Sequence, residues 1–255
     1  IVIIGLIVAF LALVVFARSR YMVPIVMYHS VTPDANQANR LQVSVKAFQR
    51  QMDFLKTHHY NVVPLEALAR LIRDKAKIPP KTIAITLDDG NIDSYVYAYP
   101  ILKKFGFPAT MFIIINEVGR PAGDRLSWDE IKEMQLSGRI DFGSHTLDHP
   151  YLVDVKSDVE LRKQIFDSKR ILEAKLGRPV DMFCYPAGRF NGRIRQLVID
   201  AGYKFAFATN LGRCFSNNDI FAVKRIRISS SSDNLFIFWF KATGYYNIFR
   251  KHNCK

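Results

Sequence analysis

Thr82-Ile83-Ala84-Ile85-Thr86-Leu87-Asp88-Asp89-Gly90 is a short run of apolar and β-branched residues that stops on two carboxylates and a glycine. Six residues of that composition, bounded by a turn signal, predict a buried strand over Thr82–Leu87. The Asp pair at its end has two readings. Asp-Asp-Gly is a turn, because Asp favours turns and Gly tolerates positive φ. Alternatively, two carboxylates at a strand end work together, one holding a cation while its neighbour faces a pocket.

On either side the pattern repeats. Pro24–Tyr28, Tyr60–Val63, Pro108–Ile115, Ile140–Ser144 and Asp181–Tyr185 read as strands, with two more around Phe205 and Ala222. Between them lie amphipathic stretches. Val45–His58 carries Phe48, Met52, Phe54 and Leu55 at helical spacing. Leu65–Asp74 is a second helix, and Asp93–Phe105 a third, with Asp93 as its N-cap. Ser127 with Glu130 three residues on is a capping box, opening a helix that stops at Gly138. Ser157–Leu176 reads as one long helix, Asn191–Ala201 as another, and a last aromatic helix starts near Asn234. Alternating β and α units imply a parallel sheet, and about seven of them imply an α/β barrel or near-barrel. No linker or internal repeat divides residues 22–255, so they read as one catalytic domain.

Composition narrows the class. The chain has 255 residues, 49% apolar and 23% charged, enough for one sizeable core and too apolar for disorder. Cys184, Cys214 and Cys254 are too few and too spread for a disulfide scaffold or a cysteine-based zinc site. The net charge is +13 with a pI near 9.7. Such a balance suits an anionic membrane surface or an acidic polymer. The charge is diffuse and no nucleic-acid-binding motif accompanies it, so no nucleic-acid partner is expected. Ile1–Ala17 carries no charge, and Arg18 and Arg20 follow at once. That run approaches the ~20 residues of a membrane span, with basic residues as an interfacial flank. Residues 1–21 are therefore expected to be a membrane anchor, the rival being a cleavable signal peptide.

Chemistry in a parallel α/β barrel sits where strands end at their C-terminal edge. The first strand is followed by His29, the Thr82–Leu87 strand by Asp88 and Asp89, and the Ile140–Ser144 strand by His145 and, four residues later, His149. The Asp181–Tyr185 strand runs into Pro186, Ala187 and Gly188. Two imidazoles and a carboxylate are a common set for a divalent ion with open positions for water and substrate.

Those residues resemble a family. Thr86-Leu87-Asp88-Asp89-Gly90 resembles the first motif of the polysaccharide deacetylases, the NodB-homology domain of carbohydrate esterase family four. Ser144-His145-Thr146-Leu147-Asp148-His149 resembles the second motif, and Tyr185-Pro186-Ala187-Gly188-Arg189-Phe190-Asn191 the third. The stretch Leu126-Ser127-Trp128-Asp129-Glu130 also fits. The likeness runs from about Val23 to Arg227. Met27-Tyr28-His29-Ser30 is similar to the poly-N-acetylglucosamine deacetylase branch, in which an early His replaces the late one as general acid.

The resemblance implies a distorted (β/α)7 barrel behind an N-terminal transmembrane or signal helix. It implies hydrolysis of N-acetyl groups on a cell-surface or cell-wall polysaccharide of the N-acetylglucosamine type. Asp89, His145 and His149 would hold a divalent ion, Zn²⁺ first, with Co²⁺, Ni²⁺ or Fe²⁺ as substitutes. Asp88 would take the proton of the attacking water, and His29 would protonate the departing amine. The oxyanion and substrate would meet the turn of Tyr185, Pro186, Ala187 and Gly188, with a backbone N–H near Ala187 as donor. The expected location is the extracytoplasmic side of a bacterial membrane, or outside the cell if the leader is cleaved.

This chain departs from the family pattern at three places. Leu87 replaces the more usual Phe, a mild packing change. Cys184 stands where many members carry an Arg that orients the base, which leaves the tuning of Asp88 without an agent. Ala187 stands where many carry Tyr, but the backbone N–H survives that change. Two other functions stay open: an amidohydrolase acting on a small N-acylated metabolite, and a carbohydrate-binding protein that kept the fold without the activity. Trp128 is expected to pack a helix on the barrel, and His58 and His59 to sit at the C-terminal end of a helix dipole.

Overall fold

The structure, a computed structural model, describes residues 10–13, 15–16, 21–36, 38–209 and 219–246. Most of the expected N-terminal segment, together with Cys214, Cys254 and His252, lies outside them. Residues 10–13 and 15–16 are helical and exposed. Among the described residues no helix is long and apolar enough to cross a membrane.

Eight parallel strands form one nearly closed barrel. They are β1 (Ile25–Tyr28), β5 (Thr82–Asp88), β6 (Ala109–Ile113), β7 (Ile140–Ser144), β8 (Met182–Cys184), β9 (Phe205–Ala208), β10 (Val223–Lys224) and β11 (Ile226–Arg227). Their spatial order is β10-β9-β8-β7-β6-β5-β1-β11. The two edges of that path are neighbours in the chain, separated by Arg225 alone. β10 pairs with β9, and β11 pairs with β1 through Val26 with Ile226 and Met27 with Arg227. One extended segment therefore bridges the ends of the sheet. β4 (Asn61–Val62) pairs with β5 off this path, and β2 (Ser30–Thr32) with β3 (Gln42–Ser44) makes a separate parallel pair that the sequence reading omits.

Side chains alternate between the lumen and the helices, as strand geometry requires. On β5, Ile83, Ile85 and Leu87 join the outer core, together with Val26 and Tyr28 of β1. Ile25, Ala84, Phe112, Met182, Cys184, Phe205, Phe207 and Val223 form the second, inner cluster. Leu65, Leu68 and Ala69 of α2 (Leu65–Arg73) pack into that inner cluster. The same parity carries on to the C-terminal mouth: Ala84, Thr86, Asp88 on β5; Ile25, Met27, His29 on β1; Val223, Arg225, Arg227 on the bridging segment.

Gly143 on β7 faces Phe112 across the ladder. A Cβ there would lie 2.5 Å from the Phe112 ring and 2.9 Å from the Met182 carbonyl oxygen. The carbonyl cannot yield without moving β8, so Gly143→Ala is expected to cost about 1–3 kcal/mol. For a domain of this size that is a melting temperature lower by several degrees, measurable by calorimetry; an unchanged melting temperature would refute the crowding argument.

The helices follow the expected segments, with three corrections. α1 (Val45–Thr57) is capped by Ser44, and α4 (Trp128–Leu136) by the Ser127–Glu130 capping box. The helix expected from Asp93 opens as a π-helical turn, Ser94–Ala98, before α3 (Tyr99–Phe105). Asp93 is itself in helical backbone with no cap bond, and its carboxylate accepts a hydrogen bond from Ser30 instead. Ser157–Leu176 is not one regular helix: α5 (Asp158–Arg162) and α6 (Ser168–Leu176) flank a π-helical turn at Lys163–Asp167. α7 (Gly192–Asp200) follows β8, and α8 (Leu235–Ala242) closes the described chain. Trp128 packs against the core, with Lys175 over its ring at 5.3 Å. His58 Nδ1 contacts the Phe54 carbonyl at 3.0 Å, at the end of α1.

Candidate active site

A cavity of about 620 Å³ opens at the C-terminal mouth of the barrel. His29, Asp88, Asp89, His145, His149, Tyr185 and Ala187 all line it, joined by Tyr151, Arg189 and Arg227. Seven of the nine expected site residues thus share one cavity. Pro186 and Gly188 are buried in the turn around Ala187 and do not line the wall.

The donor set comes first. His145 Nε2 lies 3.6 Å and His149 Nε2 3.9 Å from Asp89 Oδ1. One ligand atom from each of the three lies within 4.8 Å of the others. Three ligands at ~2 Å from a tetrahedral ion sit roughly 3.3 Å apart, so these residues fit a cation with small side-chain movement. The imidazole of His145 is already set for that role. Its Nδ1–H donates to the Cys184 carbonyl at 2.8 Å, which leaves the Nε2 lone pair facing Asp89. Burial pushes the His145 pKa down to about 3, with His149 adding to the shift while Asp88 opposes it. His149 is lowered too, again chiefly by burial. Both rings are neutral near pH 7, as ligands must be.

The loop that presents them is held by unusual backbone. Asp89, Thr146, His149 and Ala187 all have positive φ, between 51° and 75°. These are four of the seven described non-glycine residues in that region, so the strain concentrates at the site. Gln164, in the π-helical turn, accepts from the Leu147 and Asp148 N–H groups at 3.2 and 3.0 Å and donates to Asp148. The His149 N–H donates to Thr146 Oγ1 at 2.9 Å.

The two adjacent carboxylates have opposite surroundings. Asp88 is buried, which alone would raise its pKa, yet the Arg225 guanidinium outweighs burial and brings it to about 2. Arg225 makes a two-pronged pair, Nη1 to Oδ1 at 2.7 Å and Nη2 to Oδ2 at 2.6 Å. Among the described residues Asp89 has no such partner, and burial followed by the Asp88 charge raises it against the pull of His29 and Arg125. Pairs pushed apart in this way mark working carboxylates.

Arg225 answers the question that Cys184 posed, and sequence reasoning missed it. Its Nη2 donates to Cys184 Sγ at 2.9 Å, its Nη1 to Thr86 Oγ1 at 3.1 Å, and its guanidinium lies over the Phe112 ring at 5.1 Å. The small thiol leaves room on β8, and the guanidinium arrives from the bridging segment instead. A signal was present: Thr82, Thr86 and Asp88 share the inward parity of β5, and a buried carboxylate there needs a cation of matching parity.

His29 reaches the cavity from the end of β1. Its carbonyl accepts from Asn91 Nδ2 at 3.1 Å, while its buried Nδ1 has no hydrogen-bond partner among the described residues. Burial lowers its pKa first; Asp88 and Asp89 pull upward, and Arg225 and Arg227 push further down. Tyr185 is fixed by its hydroxyl, which donates to the Phe221 carbonyl at 3.0 Å, and by stacking on Phe190.

A parallel barrel with carboxylates and imidazoles converging at its C-terminal mouth is the layout of a barrel enzyme. The polysaccharide deacetylase family matches residues 75–206, and the chain belongs to that family. It is 33% identical over 207 residues to the polysaccharide deacetylase homologue YxkH of Bacillus subtilis, covering 81% of this chain and 71% of the relative. The poly-beta-1,6-N-acetyl-D-glucosamine N-deacetylase of Staphylococcus aureus is 29% identical over 208 residues, 78% of this chain and 71% of the relative. Among solved structures, the Streptococcus pyogenes deacetylase PplD superposes with a TM-score of 0.75 at 30% identity, covering 84% of this chain and 96% of that one.

Proposed function

We propose that the protein removes N-acetyl groups from a cell-surface or cell-wall polysaccharide of the N-acetylglucosamine type. One observation carries the reading: an ionised Asp88, the Asp89–His145–His149 donor set and His29 open on the same cavity. A curated relative named for poly-N-acetylglucosamine deacetylation supports the polymer over a small metabolite. Taking residues 223–227 as a single bent strand brings the barrel to seven strands, in keeping with the (β/α)7 form.

Asp89, His145 and His149 suit Zn²⁺, and Co²⁺, Ni²⁺ or Fe²⁺ accept the same ligands. Such an ion, when bound, polarises the acetyl carbonyl and makes water more acidic. Asp88 remains charged at any physiological pH and accepts the proton of the attacking water. The backbone at Ala187, on the cavity wall, supplies an N–H to the developing oxyanion; a donor of this kind is worth ~10²–10³ in rate. His29 gives a proton to the departing amine, which leaves poorly as an anion.

Residues 1–21 tether the domain to a membrane in this reading, with the catalytic domain outside the cytoplasm, or leave it secreted if cleaved. The uncharged run Ile1–Ala17 supports it. So does the entry point: the Met22 N–H donates to the Gly244 carbonyl at 3.0 Å, just before β1 and therefore at the end of the barrel opposite the site.

Acetate release from N-acetylglucosamine oligomers by the full chain, with and without chelator, tests the proposal. Release that stops on chelation and returns with Zn²⁺ is expected; full release from metal-free protein would overturn it. His29 is tested in the same assay. As an acid it must be protonated, and its pKa is lowered, so amide turnover is expected to fall as pH rises from below the ordinary imidazole value of 6.5. His29→Ala should lower kcat on the amide by about 10²–10⁴ while sparing an activated ester, whose leaving group needs no proton. Equal losses on both substrates would remove His29 from the acid role.

A further inference from the structure

The residues that hold His29 in place are not among those the chemistry above uses. Tyr28 pairs in register with Leu87, so His29 and Asp88 follow side by side on neighbouring strands. The His29 ring has no hydrogen bond at Nδ1 among the described residues. No bond there sets its aim, which depends on the backbone that carries it. That backbone is gripped from the loop after β5. The chain turns at Asp89 and Gly90, both at positive φ, and Asn91 Nδ2 donates to the His29 carbonyl at 3.1 Å. Asn91 Oδ1 accepts from Arg125 Nη1 at 2.6 Å, and the same nitrogen donates to the Asp89 carbonyl at 3.2 Å. The Asn91 amide can face only one way, because a guanidinium only donates and a carbonyl only accepts.

Arg125 is itself fixed. Its backbone forms an antiparallel bridge with Asn91: the Ile92 N–H donates to the Asp124 carbonyl at 3.0 Å and the Leu126 N–H to the Gly90 carbonyl at 2.9 Å. Leu126 is fully buried and Ser127 caps α4, so the segment is anchored. Glu117 Oε2 lies 3.3 Å from Arg125 Nε. One line of contacts thus runs from a helix cap through Arg125 to the carbonyl of Asp89, and through Asn91 to the carbonyl of His29. A second tie lies beside it, where Ser30 Oγ donates to Asp93. The reaction needs that separation held. Water attacks the acetyl carbon from the side of Asp88 and Asp89, and the proton must reach the nitrogen on that same carbon. A misplacement of ~1 Å between such groups can cost ~10²-fold in rate.

We propose that Asn91 and Arg125 are positioning residues for the deacetylation, a clamp that fixes His29 relative to Asp88 and Asp89. The inference rests on the deacetylase reading and on His29 as its acid. Neither side chain lines the cavity, so the clamp acts through His29 and not on the sugar.

The zinc-loaded full chain is assayed on an N-acetylglucosamine oligomer and on an activated acetyl ester. Asn91→Ala should lower kcat on the amide by about 10–100-fold with KM nearly unchanged, and should spare the ester. Asn91→Asp is nearly isosteric, keeps an oxygen for Arg125 and loses only the donor to His29; it should do the same. Asn91 is partly exposed, so both variants should fold, with circular dichroism as the check. Zinc affinity, titrated into the metal-free protein, should match the parent. Arg125→Met should follow Asn91→Ala on the amide. Arg125→Lys should recover most of the rate, because an ammonium can serve both acceptors as the single Nη1 does. A double-mutant cycle decides: with His29 already replaced by Ala, Asn91→Ala should cost nothing further. An equal loss in both backgrounds, a loss shared by the ester, a weakened zinc affinity or no loss at all would overturn the clamp and leave the deacetylase reading intact. A His29→Ala variant as active as the parent would remove the acid and the clamp together. No acetate release by the parent would overturn the deacetylase reading and the clamp with it.

Discussion

Replacing Arg225 by Met is expected to cost about 3–5 kcal/mol of folding stability, the usual loss when one member of a buried ion pair is removed. Asp88 and Arg225 are both buried, and each oxygen of the carboxylate takes one nitrogen of the guanidinium. Without the guanidinium the carboxylate keeps its burial and loses what offsets it, so its pKa should rise from about 2 to above the ordinary value. Two readouts follow. In the parent protein the folded pKa is depressed, so this pair's contribution is complete above the ordinary 3.8 and is lost as pH falls through about 2. In the variant the folded pKa is raised instead, so acid relieves the buried charge, and the stability gap to the parent should be widest near neutral pH and narrow as pH falls. Removing both charges, with Asp88→Asn added to Arg225→Met, should recover part of the loss, because no buried charge is left unpaired. Arg225→Lys should rescue only partly, since an ammonium cannot take both carboxylate oxygens in one plane. A loss below about 1 kcal/mol by urea denaturation at neutral pH, with the gap to the parent unchanged on acidification, would mean that water replaces the guanidinium at no cost.

His149→Ala is expected to lower zinc affinity by more than about 100-fold, beyond the 10–100-fold typical of losing an outer partner to a ligand. One of three donors disappears, and the remaining two are His145 and Asp89. His149 is partly exposed at the cavity and packs edge-on to His145 at 4.5 Å, so its truncation leaves little void and the fold should persist. His145→Ala should lose metal equally but destabilise the barrel as well, because that ring is buried and donates to the Cys184 carbonyl. Metal content after dialysis, read beside circular dichroism, separates the two variants. Full zinc occupancy in His149→Ala would exclude this triad as the cation site.

Much of this architecture is legible from contiguous residues. The apolar runs mark the barrel strands because a strand in a parallel barrel is buried on both faces. Parity within a run then decides what reaches the lumen: Asp88 follows Ala84 and Thr86 inward, and His29 follows Ile25 and Met27. The Ser127 capping box was readable for the same reason, since cap and partner are three residues apart. Local pattern failed where one side chain had two possible partners. Asp93 reads as a cap, but Ser30, 63 residues away, claims its carboxylate. The π-helical turns at Ser94–Ala98 and Lys163–Asp167 leave helical periodicity nearly unchanged, so sequence shows helices and not the extra residue within them.

By itself the sequence determined the succession of strands along the chain and the placing of Asp88, Asp89, His145, His149 and His29 at their ends. Burial on both faces demands runs of apolar residues, and such runs are visible in one dimension. Only the tertiary structure decided what the cluster touches. The Asp88–Arg225 pair spans 137 positions, and the guanidinium at the Cys184 thiol arrives from the bridging segment, 41 positions away. Such pairings follow from where a closed barrel brings its ends together, and no run of consecutive residues encodes that closure.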